Sequence, residues 1–198
     1  MSKRIDELSA QIHQLEKELK DEIKKIRIQT YEIREKGIHF TEEIRARHRE
    51  QVMHLGQYLR RSKLKHLLTA PVIWLCIFPA VFLDLIVSLF QGACFPVYGI
   101  PKVKRGDYIM FDRKHLAYLN LIERANCLYC GYFNGLMAYV TEVAGRTEQY
   151  WCPIKHAQAL KIEHSRYRKF AAFGDSEDYK KRAPTLRRDF GDIDNPES

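Results

Sequence analysis

Most of the chain mixes charged and apolar residues, but residues 67–95 form one strongly apolar stretch. It reads LLTAPVIWLCIFPAVFLDLIVSLFQGACF, and Asp84 is its one charged residue. About 20 apolar helical residues cross a hydrocarbon core of roughly 30 Å. We therefore predict a membrane segment at 67–95 and a protein attached to the lipid bilayer.

The path of this segment through the membrane has two interpretations. Pro79 lies near its middle and breaks or kinks a helix there. Basic residues flank both ends, so the positive-inside rule gives no clear asymmetry. We favour a re-entrant helical hairpin that turns at Pro79, and a single kinked span is the alternative. In either case the carboxylate of Asp84 should face a partner, because an unpaired charge inside a membrane is costly.

The pattern before the membrane segment predicts a charged helical region over residues 1–66. Residues 4–35 carry a heptad seam that predicts either a short coiled coil or a helix packed on its own chain. A basic helix at 41–66 then leads into the membrane. The seam consists of Ile5, Ile12, Leu19, Ile26 and Ile33 at one position and Leu8 and Leu15 at the other.

After the membrane segment, residues 96–173 are long enough for one small domain. Apolar residues at helical spacing predict helices at 113–126 and 133–146, and a basic helix is expected at 154–171. Residues 174–198 are polar and predict a flexible tail. The expected fold class is therefore mostly α.

Charge and cysteine content narrow the partners and the compartment. The net charge is +8, which suits nucleic acid or anionic lipid, and the membrane segment favours lipid headgroups. Three of the five cysteines lie outside the membrane segment, and an odd number does not suggest a disulfide framework. Reduced thiols facing the cytosol are the simpler interpretation.

Four residues have the spacing of a metal site. Cys127 and Cys130 form C-x2-C, and after residues 131–151 Cys152 and His156 form C-x3-H. Two close pairs of thiolate and imidazole ligands suit a tetrahedral ion, and zinc accepts a Cys3His set. Iron or an iron–sulfur cluster is the alternative cofactor. The other interpretation is that the cysteines are buried thiols, since positions i and i+3 share one face of a helix.

The motif CLYCGY with the later WCP resembles the two half-sites of a rubredoxin-type knuckle. His156 replaces the fourth cysteine one place later, so the resemblance implies a metal knuckle and not the rubredoxin fold. More broadly, ERANCLYCGYFNG and GRTEQYWCPIKHA resemble an uncharacterised family of bacterial membrane proteins. That resemblance implies an inner membrane location and assigns no activity.

Three functions remain open at this point. The favoured one is a non-enzymatic assembly or interaction protein, stabilised by zinc, with its soluble parts in the cytoplasm. Its partner would be a protein or a second copy, recruited through residues 4–35. The second is iron-based electron transfer at the four ligands. The third is a membrane-surface enzyme on a lipid-like substrate, although an i, i+4 ion pair is the commoner role of Glu142 with Arg146. Its candidate residues are Glu142, Arg146, Glu148 and Asp84.

Overall fold

The computed structural model describes residues 11–12, 14–25, 31–34, 37–40 and 42–193. The protein is mostly helical, as the sequence predicts. Residues 14–25 are helical, and six further helices follow. They are α1 (Glu42–Glu50), α2 (Leu55–Arg61), α3 (Leu64–Leu75), α4 (Ile77–Tyr98), α5 (Leu121–Trp151) and α6 (Ser176–Leu186). Short 3₁₀ turns lie at Arg105–Asp107, Asp112–His115 and Tyr167–Lys169.

Contacts divide the chain into two compact units. The first consists of Met1–Arg61 with Asp112–Ala125, and the second of Ser62–Phe111 with Asn126–Ser198. Each is described by itself below.

The first unit contains an antiparallel hairpin of β1 (Tyr31–Arg34) and β2 (Gly37–Phe40), with Tyr31 opposite Phe40. The prediction of helix up to residue 35 is therefore wrong at 31–34. Aromatic and β-branched residues on both sides of a glycine favour a hairpin here. The basic helix predicted at 41–66 is also interrupted, at 51–54 and at 62–63. Seam positions 5, 8 and 26 lie outside the described residues.

Leu15 and Leu19 are more than half exposed on the helical residues 14–25. The apolar stripe is thus uncovered in the part of the chain that the structure describes, and the expected coiled coil is untested. At the other end of the first unit, Asn120 and Glu123 cap the start of α5 reciprocally. The Glu123 amide donates to the Asn120 side chain, and the Asn120 amide donates to the Glu123 carboxylate, both at 3.0 Å.

The second unit contains the apolar helical stretch. Leu64–Tyr98 is the one helix in the described residues that is long and apolar enough to cross a membrane. Cys76 separates α3 from α4 and keeps a right-handed helical conformation, with its amide bonded to Ile73 O at 3.2 Å. The disturbance lies three residues before Pro79, which lacks the N–H that would bond to the preceding turn. This interruption lies close to Pro79, where the sequence predicts a break or kink.

The stretch does not turn back on itself. The Tyr129 hydroxyl donates to Ile73 O at 2.8 Å, whereas Tyr98 lies against Tyr150 with ring centroids 5.2 Å apart. Tyr129 and Tyr150 are separated by roughly 32 Å of helix. A hairpin would bring both ends of the stretch to one end of α5, so the favoured hairpin is wrong. The stretch is one helical run that is interrupted at Cys76.

α4 and α5 run parallel, and the connector 99–111 returns between them. The connector passes Gln91 with the Val103 amide and reaches Asp84 with Arg105. Its backbone then meets α5 at Gly135, where Tyr108 O lies close to the glycine. One core is shared by the three segments and the C-terminal region. Its members are Ala80, Phe95, Ile100, Val103, Ile109, Leu136, Tyr139, Val143 and Phe190.

The region after α5 differs from the prediction. Residues 154–171 contain one 3₁₀ turn and a parallel bridge between Ile154 and Ala171 instead of a helix. The expected flexible tail at 174–198 is folded as far as it is described, to residue 193. Asp175 caps α6 by accepting from the Asp178 amide at 2.9 Å, and Phe190 enters the core.

Candidate functional site

A chain of polar side chains runs along the inner face of α4 and α5. At one end the Arg105 guanidinium donates to both carboxylate oxygens of Asp84, with the shortest contact at 2.6 Å. The Tyr132 hydroxyl donates to the same carboxylate at 3.0 Å. Asp84 is 9% exposed, so this pairing supplies the partner that the sequence predicted.

The next polar side chains along the two helices, Gln91 and Tyr139, are uncharged. Gln91 accepts from the Val103 amide at 3.0 Å, and its side-chain N–H groups donate to Val103 O and to the Tyr139 hydroxyl. Both side chains are buried. These bonds satisfy the connector backbone where it crosses α4, and they fix the register between the connector and the helix.

Glu142 and Arg146 form a buried ion pair one helical turn apart. Arg146 Nε donates to Glu142 Oε1 at 2.8 Å, and its Nη1 donates to Pro101 O at 2.9 Å. The Ser165 hydroxyl donates to the second oxygen of Glu142 at 2.6 Å. Both oxygens of the Glu142 carboxylate therefore accept hydrogen bonds from within the protein, which is the arrangement of a structural pair.

The Arg166 side chain links the C-terminal region to α5. Its Nε donates to Gln149 Oε1 at 2.6 Å, and its two Nη atoms reach the Asp192 carboxylate at 2.8 Å. Nη2 also reaches Asp189 O at 3.2 Å. The Arg166 guanidinium holds the pKa of Asp192 well below its usual range, against the opposing effect of burial.

Glu148 has a different partner from Glu142. Its carboxylate lies 2.9 Å from His164 Nε2. The His164 ring packs on Gly145, where an added Cβ would lie 2.6 Å from the ring nitrogen Nδ1. A ring can approach the helix this closely only because Gly145 has no side chain. Glu142, Arg146 and Glu148 thus belong to two separate pairs and do not converge on one catalytic position.

A cavity of about 430 Å³ opens beside this network in the second unit. Residues from the connector, from α5 and from the C-terminal region line it. They are Pro101, Lys102, Lys104, Asp107, Tyr108, Glu142, Arg146, Ser165, Arg166, Asp192 and Ile193. Burial and the Glu142 carboxylate raise the pKa of Tyr108, so its hydroxyl is a neutral donor at physiological pH.

The structure does not bring the four predicted metal ligands together. Cys127 and Cys130 lie on α5, whereas Cys152 and His156 follow its C-terminal end. The intervening helix separates Cys130 from Cys152 by roughly 33 Å. Within the described residues, no group of three or more His, Cys, Asp or Glu side chains could hold a metal ion. His156 instead stacks on Tyr167 at 6.2 Å.

The four residues lie apart because one helix, Leu121–Trp151, contains both the C-x2-C and the spacer that follows it. A knuckle needs the chain to turn at the glycine after the second cysteine, and Gly131 continues the helix here. Cys127 and Cys130 do lie three residues apart on one helix, but Cys127 is only half-buried and Cys130 and Cys152 are exposed, so the interpretation of buried thiols is wrong for these two. The zinc, iron and electron-transfer expectations therefore have no assembled ligand set among the described residues.

Sequence reasoning missed Ser165, Arg166 and Asp192, and it counted Lys102 and Lys104 only as flanking charges. The first three meet through long-range contacts that no spacing rule reveals. The sequence of the connector gave one weak indication that Lys102 and Lys104 share a face, since they alternate with Val103, which is buried.

Comparisons of the chain with family models, with curated proteins and with solved structures found no match.

Proposed function

We propose that this is a membrane-anchored protein whose polar part works in binding or assembly at the membrane surface. The observation that carries the proposal is the exposed apolar side of α3 and α4. Large apolar side chains are uncovered along the full stretch, including Phe78 at 70% and Phe82 at 65% exposed. Exposed apolar area of this extent on one helix favours lipid as its surroundings.

The position of the connector indicates where the lipid ends. Lys102 and Lys104 are exposed and lie on the connector between Gln91 and Asp84, beside the second half of α4. Charged side chains exposed there would be costly inside hydrocarbon. In this proposal the connector and its lysines lie at the headgroup level, and the exposed apolar side of α3 and α4 faces the hydrocarbon.

The basic residues of the connector support contact with the anionic surface of a bacterial inner membrane. Lys102, Lys104 and Arg105 are positioned to meet anionic headgroups, each contributing about 1 kcal/mol. Assembly with a partner protein or a second copy would use the uncovered stripe of Leu15 and Leu19. The internal pairing of Glu142 and Arg146 supports binding over catalysis.

The anchor is tested by membrane fractionation of the full chain. We expect Phe78→Asp with Phe82→Asp to move most of the protein out of the carbonate-resistant membrane fraction. Each introduced carboxylate costs about 2.5–3.5 kcal/mol near the centre of a membrane helix.

The matched control is Ile162→Asp with Phe173→Asp, since these side chains are 83% and 66% exposed outside the apolar stretch. This pair should stay with the membrane like the unchanged protein. If the unchanged protein is found in the detergent-free soluble fraction, the anchor proposal is wrong.

A further inference from the structure

The charges that line the cavity are not equally available to a ligand. All three guanidinium nitrogens of Arg166 are bonded within the protein. Arg146 donates from Nε to Glu142 and from Nη1 to Pro101 O. Its Nη2 has no hydrogen-bond partner among the described residues. A buried arginine thus lines the cavity with one donor edge unused.

The two connector lysines add available positive charge. Lys102 and Lys104 are exposed, and neither forms an ion pair within the described part of the chain. Of the three lining carboxylates, Glu142 and Asp192 are neutralised by Arg146 and Arg166. With Arg146 and Arg166 set against these two carboxylates, the charges of Lys102 and Lys104 outweigh the one remaining carboxylate in the lining, Asp107.

These donors have the chemistry of a phosphate site. Lysine binds phosphate as a point charge, and a guanidinium edge adds directional N–H donors. Tyr108 on the same lining has a neutral hydroxyl, whereas the Ser165 hydroxyl already donates to Glu142. Pro101 and Ile193 supply an apolar side. A volume of about 430 Å³ lies within the range of small-molecule pockets.

We infer that this cavity binds a phosphate-bearing anion through Lys102, Lys104 and the free edge of Arg146. Two sources share this chemistry, an anionic phospholipid headgroup and a soluble phosphate ester. The lipid source rests on the proposed membrane function, because it requires the connector to lie at the headgroup level. Binding of a soluble phosphate ester does not depend on the membrane function.

The test uses the full chain in an uncharged detergent. The probes are dihexanoyl phosphatidylglycerol below its micelle concentration, inorganic phosphate, and dihexanoylglycerol, which lacks phosphate. Calorimetric titration measures the Kd of each. We expect a phosphate-bearing probe to bind and dihexanoylglycerol not to bind. Lys102→Gln with Lys104→Gln should weaken binding by about tenfold or more.

Lys180→Gln with Lys181→Gln is the matched control, since it removes the same charge from exposed positions on α6 outside the lining. It should change the Kd by less than about twofold, because its charges lie in solvent. Binding of the lipid without inorganic phosphate would support the headgroup source, and competition by inorganic phosphate would support the soluble one. No binding, or equal weakening by both lysine pairs, would overturn the inference.

Membrane fractionation of the same variants separates this inference from the anchor. Lys102→Gln with Lys104→Gln should remain in the membrane fraction, since the apolar helix is unchanged. A protein that stays in the membrane but binds no phosphate would refute the cavity assignment alone. One that binds inorganic phosphate but leaves the membrane fraction would refute the anchor alone.

Discussion

Gly135 is the position where the connector backbone presses most closely on α5. A Cβ added there would lie 2.5 Å from Tyr108 O and 2.9 Å from Ile109 Cα. Both neighbours are backbone atoms, so neither can move aside by rotating a side chain. One turn earlier, a Cβ on Gly131 would meet only Met110 O at an ordinary 3.5 Å. Two glycines of one helix therefore have different roles.

We expect Gly135→Ala to lower the free energy of unfolding by roughly 1–3 kcal/mol, because the connector must shift. Gly131→Ala should be neutral or stabilising by up to about 1 kcal/mol, since alanine is the better helix former. Thermal unfolding in detergent, followed by circular dichroism, measures both. Equal melting temperatures for the two variants would contradict the close approach at Gly135.

At the scale of elements, hydropathy found the apolar helix because its signal is local and strong. The same reasoning predicted that Asp84 would have a partner, which Arg105 supplies. It could not predict whether the run turns at Pro79, because a proline kink and a reversal have the same local sequence. That distinction depends on contacts of Ile73 and Tyr98 with α5.

The four predicted metal ligands lie apart for a related reason. The spacing between Cys130 and Cys152 predicts a shared metal site only if the chain between them folds back. One continuous helix keeps the two cysteines apart here. The region 154–171 was misjudged because its polar residues are compatible with a helix. Its structure depends instead on Arg166, which reaches Gln149 and Asp192 from a distance in sequence.

The stripe on the helical residues 14–25 leads to a prediction about assembly. We expect Leu15→Ala with Leu19→Ala to reduce the oligomeric size of the protein in detergent, because these exposed leucines would form the partner surface. Lys17→Ala with Asp21→Ala has the same spacing on another face and leaves the net charge unchanged. Light scattering after size exclusion measures the mass. A protein that is monomeric before any substitution would rule out self-association through this stripe.

At the scale of the whole molecule, the C-terminal residues complete the second unit. Phe190 enters the core, and the Asp192 carboxylate neutralises the buried Arg166. Lys169 also lies 3.0 Å from that carboxylate. The chain beyond α6 is thus part of the folded unit, although its composition is that of a tail.

The lowered pKa of Asp192 predicts how stability depends on pH. Since the folded pKa lies below the ordinary value of 3.8, the charged pair stabilises the fold above that pH. This contribution is lost as the pH falls from 3.8 through the folded pKa. Asp192→Asn should therefore melt a few degrees lower than the unchanged protein at pH 7, and the difference should shrink below pH 3.8.

Asp178→Asn is the control for this pH series, because Asp178 pairs with Arg182 on the surface of α6. A pair of that kind contributes about 0–1 kcal/mol, so little change is expected at either pH. Equal stability of Asp192→Asn and the unchanged protein at pH 7 would show that the pair does not hold the C-terminal region in place.

The return of the connector along α4 also has a consequence for biosynthesis. Asp84 leaves the ribosome 21 residues ahead of the arginine that neutralises it. At roughly 5–20 residues per second, the nascent chain carries this lone carboxylate for about 1–4 s. Tyr132 follows later still, so the apolar helix is made before any of its charged or hydroxyl partners from the connector and α5. If the stretch enters a membrane as proposed, the insertion machinery, and not the protein itself, would keep this carboxylate solvated during that interval.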